Sequence, residues 1–232
     1  MQKLSIIIPV YNEESTIKQV IEKVKNVKLK DFSKEIIIVE DCSTDRTKEV
    51  LNNLKDYSLK IFFHNINKGK GAAIRTGLKH STGEIILIQD ADLEYNPEEY
   101  PKLLKPFEDK KVKVVYGSRI EVIRKNLNKM YKLHYFGNLI LTSLTNILYG
   151  TKISDMETGY KVFRKEVVEN MNLKSRRFDF EPEITAKLLK KGHKIYEVPI
   201  GFHGRKFAEG KKITWKDGIK AAYYLIKFRF MD

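Results

Sequence analysis

Two aspartates, Asp90 and Asp92, follow the apolar run Ile85-Ile86-Leu87-Ile88, and Glu94 comes two residues later. Along extended chain, alternate side chains face the same way, so these carboxylates can share one cation. Oxygen-only ligands suit Mg²⁺ or Mn²⁺, which bridge a few carboxylates and the phosphates of a substrate. As a bare tripeptide, Asp-x-Asp reads as a solvated acidic turn ahead of a helix starting near Pro97. At the end of a buried strand, acids held close together are costly unless something cationic binds them. A second cluster, Glu40-Asp41-Cys42-Ser43-Thr44-Asp45, has two readings. Ser43 or Thr44 can cap the following helix, with Asp45 near its positive end. Asp41, at a strand tip, can instead accept hydrogen bonds from a nucleobase. The segment after the first apolar run, Pro9-Val10-Tyr11-Asn12-Glu13-Glu14, lacks G-x-G-x-x-G. No G-x-x-x-x-G-K-[ST] occurs either, and Gly69-Lys70-Gly71 alone reads as a turn opening a helix. The histidines His64, His80, His134, His193 and His203 are scattered and read as surface or packing residues rather than as a general base.

Elements must bring these residues together. Short apolar runs at 4–10, 35–39, 59–63, 84–88 and 112–116 read as buried strands. Helical spacing lies between them: Ile17, Val20, Ile21 and Val24, then Thr47, Val50, Leu51 and Leu54, then Ala73, Ile74 and Leu78. The alternation predicts an α/β fold with a mostly parallel sheet, whose ligands bind beyond the carboxyl ends of the strands. Residues 123–149 form a basic, aromatic, helix-spaced stretch. A helix over 181–190, a strand over 195–202 and a last helix from 215 to about 230 complete the pattern. No repeat or linker interrupts it, so a single domain over 1–232 is expected, with a C-terminal elaboration after about residue 120.

With 232 residues, 42% hydrophobic and 32% charged, the chain can bury a sizeable core. Its 44 Lys and Arg against 30 Asp and Glu leave a formal charge of +14, which favours anionic partners. No zinc-finger spacing, RNP signature or helix-turn-helix pattern supports nucleic acid among them. One cysteine, Cys42, excludes a disulfide framework. No secretory signal and no run of ~20 apolar residues is visible. The expectation is a cytoplasmic protein, soluble or resting on a membrane from outside.

The set Pro9-Val-Tyr-Asn-Glu13, Glu40-Asp41-x-Ser-x-Asp45, Asn67-Lys-Gly-Lys-Gly-Ala-Ala-Ile-Arg-x-Gly77 and Asp90-Ala-Asp-Leu-Glu-Tyr95 resembles glycosyltransferase family 2, which has the GT-A fold. Gly117-Ser118-Arg119, Asp155-Met-Glu-Thr-Gly-Tyr-Lys161, Phe178-Asp-Phe-Glu-Pro-Glu183 and Glu197-Val-Pro199, with Arg205 and Lys211 behind them, resemble its dolichyl-phosphate mannose synthase and polyprenyl-phosphate glucosyltransferase branch. The resemblance implies that Pro9, Tyr11, Glu13 and Asp41 line the nucleotide's base and ribose. Asp90 and Asp92 would hold Mg²⁺ or Mn²⁺ on the diphosphate, helped by Glu94. Arg205 and Lys211 would contact the donor phosphates, and Arg119 would sit where donor and acceptor phosphates meet. Asp92 and Arg119 are thus the implied catalytic residues.

The implied reaction is metal-dependent inverting transfer of a hexose to a polyprenyl phosphate, from GDP-mannose foremost or UDP-glucose. A phosphate acceptor, largely dianionic at neutral pH, needs no general base. A glycan hydroxyl acceptor, the alternative within the family, would need one, and Asp155, Glu157, Asp179 and Glu181 are candidates. The chain departs from the branch at Ala208-Glu209-Gly210-Lys211-Lys212, where relatives commonly carry a Gly-x-Ser-Lys turn. A second basic residue for the lipid phosphate does not stand out among Arg124, Lys125, Lys129 and Lys132. The amphipathic stretches 123–149 and 216–230 imply peripheral attachment to the cytoplasmic face of a membrane, with a separate membrane-anchoring subunit as a further partner.

Overall fold

A computed structural model describes residues 1–125, 129–177, 179–205 and 215–231. The first half alternates as the pattern requires: β1 (Gln2–Val10), α1 (Ile17–Asn26), β2 (Phe32–Glu40), α2 (Thr47–Asn52), β3 (Leu59–Phe63), α3 (Lys70–His80) and β4 (Ile85–Ile88). It continues through α4 (Tyr100–Leu104), β5 (Val114–Ser118), α5 (Ile120–Lys125) and α6 (Lys129–Tyr149). Then come β6 (Lys161–Arg164), α7 (Lys165–Glu169), α8 (Phe180–Lys190), β7 (Ile195–Pro199) and α9 (Trp215–Phe230).

The strands form one seven-stranded sheet in the order β3-β2-β1-β4-β6-β5-β7. β1 pairs in parallel with β2 and β4, β2 with β3, and β5 with β7. The central strands are apolar on both faces because helices cover both, and period-2 alternation decides which core each residue joins. From β1, Leu4, Ile6, Ile8 and Val10 pack with Ile17, Val20, Ile21 and Val24 of α1, while Ile7 faces Ile74 of α3 and the Ile184 and Leu188 side of α8.

The structure departs from the sequence pattern in five places. β6 is an added strand, antiparallel to both β4 and β5. The fifth strand lies at Val114–Ser118 rather than 112–116, and the last ends at Pro199 rather than 202. The helical stretch read from 123 already begins at Ile120, and its described parts are α5 and α6, residues 126–128 lying outside the described residues. Finally, Ser43 and Thr44 do not cap α2. They bind the turn after β1, through Asn12 N to Ser43 Oγ (3.0 Å) and Thr44 N to Asn12 Oδ1 (2.8 Å). Asp45 accepts from Thr47 N (2.9 Å) at the helix start instead.

At the end of the sheet away from the strand carboxyl termini, Glu35 is buried and knits four segments together. Its carboxylate accepts from Ser5 Oγ (2.5 Å), Lys60 Nζ (2.5 Å), Thr82 N (2.8 Å) and Thr82 Oγ1 (2.8 Å). Burial opposes its ionisation, but the bonds from Lys60, Ser5 and Thr82 outweigh that and hold its pKa well below the ordinary 4.5. A carboxylate whose pKa is lowered by folding stabilises the fold above its unfolded value and loses that contribution as pH falls. Glu35→Gln is expected to cost about 2 kcal/mol at pH 7, because it leaves donors in the network poorly met. Thermal melts over a pH series should show the gap between variant and wild type narrowing below about pH 4.5; a gap that does not change with pH would contradict this account.

Candidate active site

The chain turns sharply after β1, β2 and β4, and a non-glycine residue takes the left-handed conformation at each turn: Asn12 (φ 52°), Cys42 (φ 58°) and Leu93 (φ 62°). Such backbone is disfavoured for residues with a side chain and recurs at functional sites. These turns present Glu13, Asp41, Asp90, Asp92 and Glu94 to one cleft of ≈ 920 Å³.

At its centre the acids meet cations. Lys70 Nζ lies 2.8 Å from Asp90 Oδ1 and 2.8 Å from Glu181 Oε1. Burial works against the Lys70 charge, but the Asp90 and Glu181 carboxylates outweigh it and raise the pKa well above the usual lysine value. Arg205 pairs with Glu13 (3.0 Å) and with Asp92 Oδ2 (3.1 Å), and its backbone N–H donates to Glu94 Oε1 (2.7 Å). Burial, with Asp90 and Glu94 nearby, still pushes the Asp92 carboxyl up to about 7.

A second group sits beside the first. Arg119 grips Asp155 in a fork, with Nε to Oδ2 at 2.8 Å and one terminal nitrogen to Oδ1 at 2.7 Å, while its backbone N–H adds 2.9 Å to Oδ2. Asn138 Nδ2 completes the ring around fully buried Asp155 (2.8 Å). The guanidinium also lies over the Phe202 ring, 5.1 Å from its centroid. Glu157 lines the same cleft; burial first, then Glu181, pushes its carboxyl up to about 7. Below it, buried Lys161 donates to the Met156 (2.9 Å) and Thr158 (2.5 Å) carbonyls, and burial lowers its pKa to about 8 against the pull of Glu181, Glu157 and Asp155.

Most of the residues singled out in the sequence meet here. Pro9, Tyr11, Glu13, Asp41, Asp90, Asp92, Glu94, Arg119 and Arg205 all line the cleft; Lys211 lies outside the described residues. The alternation expected through Glu94 does not hold. β4 ends at Ile88, Leu93 turns the chain, and Glu94 faces the Arg205 backbone. Among the described residues, no three acidic, histidine or cysteine side chains converge as a ready-made metal site. Asp90 and Asp92 nonetheless offer hard oxygen donors in an acid cluster that lysine and arginine only partly neutralise. That chemistry fits Mg²⁺ or Mn²⁺, which commonly takes one or two carboxylates and completes its shell with water and substrate phosphate.

Asp41 is already engaged. It accepts from Lys68 N (2.9 Å) and Gly69 N (2.6 Å) and contacts His64 Nδ1 (2.6 Å), whose Nε2 meets Thr76 Oγ1 (2.9 Å). His64 is therefore a buried strut for the turn that opens α3.

Sequence reasoning passed over Lys70 and Gly159. A Cβ on Gly159 would stand 2.2 Å from Asp90 Oδ2, and its N–H donates to Tyr95 Oη (2.8 Å). The signal for both lay in motifs already quoted, Asn67 to Gly77 and Asp155 to Lys161, as residues other than the acids.

The model of the family described as Glycosyl transferase family 2 matches residues 5–171. The chain belongs to glycosyltransferase family 2. A family 2 relative, the dolichyl-phosphate beta-glucosyltransferase ALG5A of Trichomonas vaginalis, is 34% identical over 97% of this chain and 72% of its own length. The dolichol-phosphate mannosyltransferase of Pyrococcus furiosus is 31% identical over 90% of this chain and 59% of its own. The chain thus spans between roughly three-fifths and three-quarters of these two relatives. The GT-A fold is shared with glucosyl-3-phosphoglycerate synthase from Mycobacterium tuberculosis, solved in complex with Mg²⁺ and uridine diphosphate. The TM-score is 0.75 at 16% identity, covering 100% of this chain and 80% of that one.

Gly159→Ala is expected to displace the Asp90 carboxylate and lower sugar-transfer turnover by about 100-fold, as misplacing a reacting group by an ångström does. Steady-state kinetics alongside a thermal melt would check this, and wild-type turnover would show that Asp90 is not used where it stands.

Proposed function

We propose that this glycosyltransferase moves a hexose, mannose or glucose, from a nucleotide sugar to a polyprenyl phosphate, with inversion and with Mg²⁺ or Mn²⁺ at Asp90 and Asp92. The observation that carries the reading is the two-ended character of the cleft. One end is the ionic centre around Asp90, Asp92, Lys70, Arg119 and Arg205. The other is an apolar wall of Ile123, Phe136, Ile140, Leu141, Ile219 and Ala222, drawn from α5, α6 and α9. A lipid phosphate has the same two halves. The names of the Trichomonas and Pyrococcus relatives support this acceptor.

Pro9, Tyr11 and Glu13 form the wall for base and ribose, with Asp41 fixing the turn beside it. When bound, a divalent cation at Asp90 and Asp92 neutralises charge that develops on the departing diphosphate. Arg119 is held rigidly by Asp155, so its charge is directed without reorganisation at the moment of reaction. No residue need deprotonate a phosphate acceptor. Glu157 and Glu181 remain the cleft carboxylates best placed as base should the acceptor be a glycan hydroxyl.

The surface beside the cleft supports attachment to a membrane. α6 and α9 pack together, with Tyr149 Oη donating to the Leu225 carbonyl (2.7 Å), and bury Leu141, Thr145, Ala221 and Leu225. Ile147 and Phe230 are turned outward, 81% and 76% exposed. Lys227 and Arg229 stand among them on α9, the composition of a helix resting in an anionic interface. Among the described residues, no helix is long and apolar enough to cross a membrane.

A panel of nucleotide sugars with Mn²⁺ and a short polyprenyl phosphate should yield a lipid-linked radiolabelled sugar. Transfer only to a free glycan would favour the hydroxyl acceptor instead. Asp92→Asn should lower kcat about 1,000-fold with the fold retained. Sedimentation with anionic vesicles should fall to background for the double variant Ile147→Asp, Phe230→Asp, and undiminished binding would remove these helices from the membrane contact.

A further inference from the structure

The cleft is rich in acid, yet the reaction proposed above brings phosphates into it. The cations that line it among the described residues are Lys70, Arg119, Arg177 and Arg205. Lys70 is held by Asp90 and Glu181, Arg119 by Asp155, and Arg205 by Glu13 and Asp92. Arg177 alone makes no ion pair or side-chain hydrogen bond among the described residues. Resting on the reading of the cleft as a phosphate-handling site, we infer that Arg177 is a further phosphate-binding residue, supplying the charge that the other three have already committed to carboxylates.

Its placement is built rather than incidental. The segment carrying it is strapped down on both sides. Fully buried Glu183 accepts from Lys174 N (2.8 Å) and Ser175 N (2.7 Å), and Ser175 Oγ donates to the Asp179 carbonyl (2.9 Å). Arg177 N itself donates to Asp179 Oδ1 (2.7 Å), and Arg75 donates to the Ser175 carbonyl. The strap lies across the turn that opens α3. Ala72 N reaches the Arg176 carbonyl (3.4 Å), and a Cβ on Gly69 would stand 2.2 Å from that oxygen and 2.8 Å from Arg177 Cγ. Gly69, with φ 88°, lets the arginine stem lie on the residue next to Lys70, whose ammonium holds Asp90. An exposed guanidinium on a fixed backbone, beside the corner offered to a metal-bound diphosphate, is the arrangement a bidentate phosphate contact uses. The amides of Lys68 and Gly69 at the same turn are taken by Asp41, so they do not serve the anion in its place.

The phosphate can come from the donor's diphosphate or from the acceptor's monoester, and calorimetry separates the two. Wild type, Arg177→Ala and Arg177→Lys are each titrated with UDP and GDP in the presence of Mn²⁺, and separately with a short-chain prenyl phosphate. Loss of one charge-assisted contact is expected to weaken binding of one of these probes by about tenfold or more in Arg177→Ala. Arg177→Lys should recover part of the loss, and the melting temperature should stay within a few degrees of the wild-type value, since no ion pair or side-chain hydrogen bond among the described residues is removed. A loss confined to the nucleotides assigns Arg177 to the donor; a loss confined to the prenyl phosphate assigns it to the acceptor. Affinities within twofold of wild type for every probe overturn the inference and leave Arg177 a solvated charge. Transfer assays run beside the titrations keep the two claims apart. A wild type that makes no lipid-linked sugar while Arg177→Ala still weakens Mn²⁺–nucleotide binding would sink the acceptor reading alone.

Discussion

Carboxylates gathered at the ends of parallel strands repel one another, and the cleft holds together because two of its cations each answer more than one of them. Lys70 serves Asp90 and Glu181; Arg205 serves Glu13 and Asp92. These pairs also fasten the molecule across its length, since Arg205 follows the last strand and Glu13 follows the first. Removing one partner of such a pair would strand a charge in a poorly hydrated place. On the proposed function, binding of a metal and a diphosphate would be an exchange, in which Lys70 and Arg205 give up part of their hold on acid for oxyanions. The site is balanced in advance for ligands of opposite charge arriving together.

The donor side of the fold was legible because its strands are unbroken apolar runs ending in polar residues. β6 was not, because Lys161 opens it and the strand offers only Val162 and Phe163 as apolar residues before Arg164. A lysine made tolerable by two backbone carbonyls and the face of Tyr116, 4.3 Å from that ring's centroid, looks in sequence like the edge of a loop. Asp90 and Asp92 stood out as paired acids at a strand end, whereas the reach to Glu94 failed on a backbone angle at Leu93 that no composition rule foretells. Lys70 and Glu181 belong together only in space, 111 positions apart in the chain. Pairing at that range is invisible to any window along the chain.

The surplus of +14 is also instructive, because it does not describe the cleft. There, acids outnumber bases among the described lining residues. The excess of lysine and arginine lies on outer surfaces, including Lys227 and Arg229 beside the exposed apolar faces of α6 and α9. Net charge therefore describes the outer surface more than the cleft. The local sign of the cleft is the reverse of the chain's, the sign that the proposed divalent cation would need.

The left-handed residues after β1, β2 and β4 carry one more implication. Asn12, Cys42 and Leu93 each hold a conformation that glycine would adopt at lower cost. Glycine at these corners would ease the backbone in the folded state while loosening the hinge on which each neighbouring acid is mounted. The scaffold thus trades ease of the backbone against accuracy of the rim, and at Asn12 glycine would also forfeit the bond from Thr44 N.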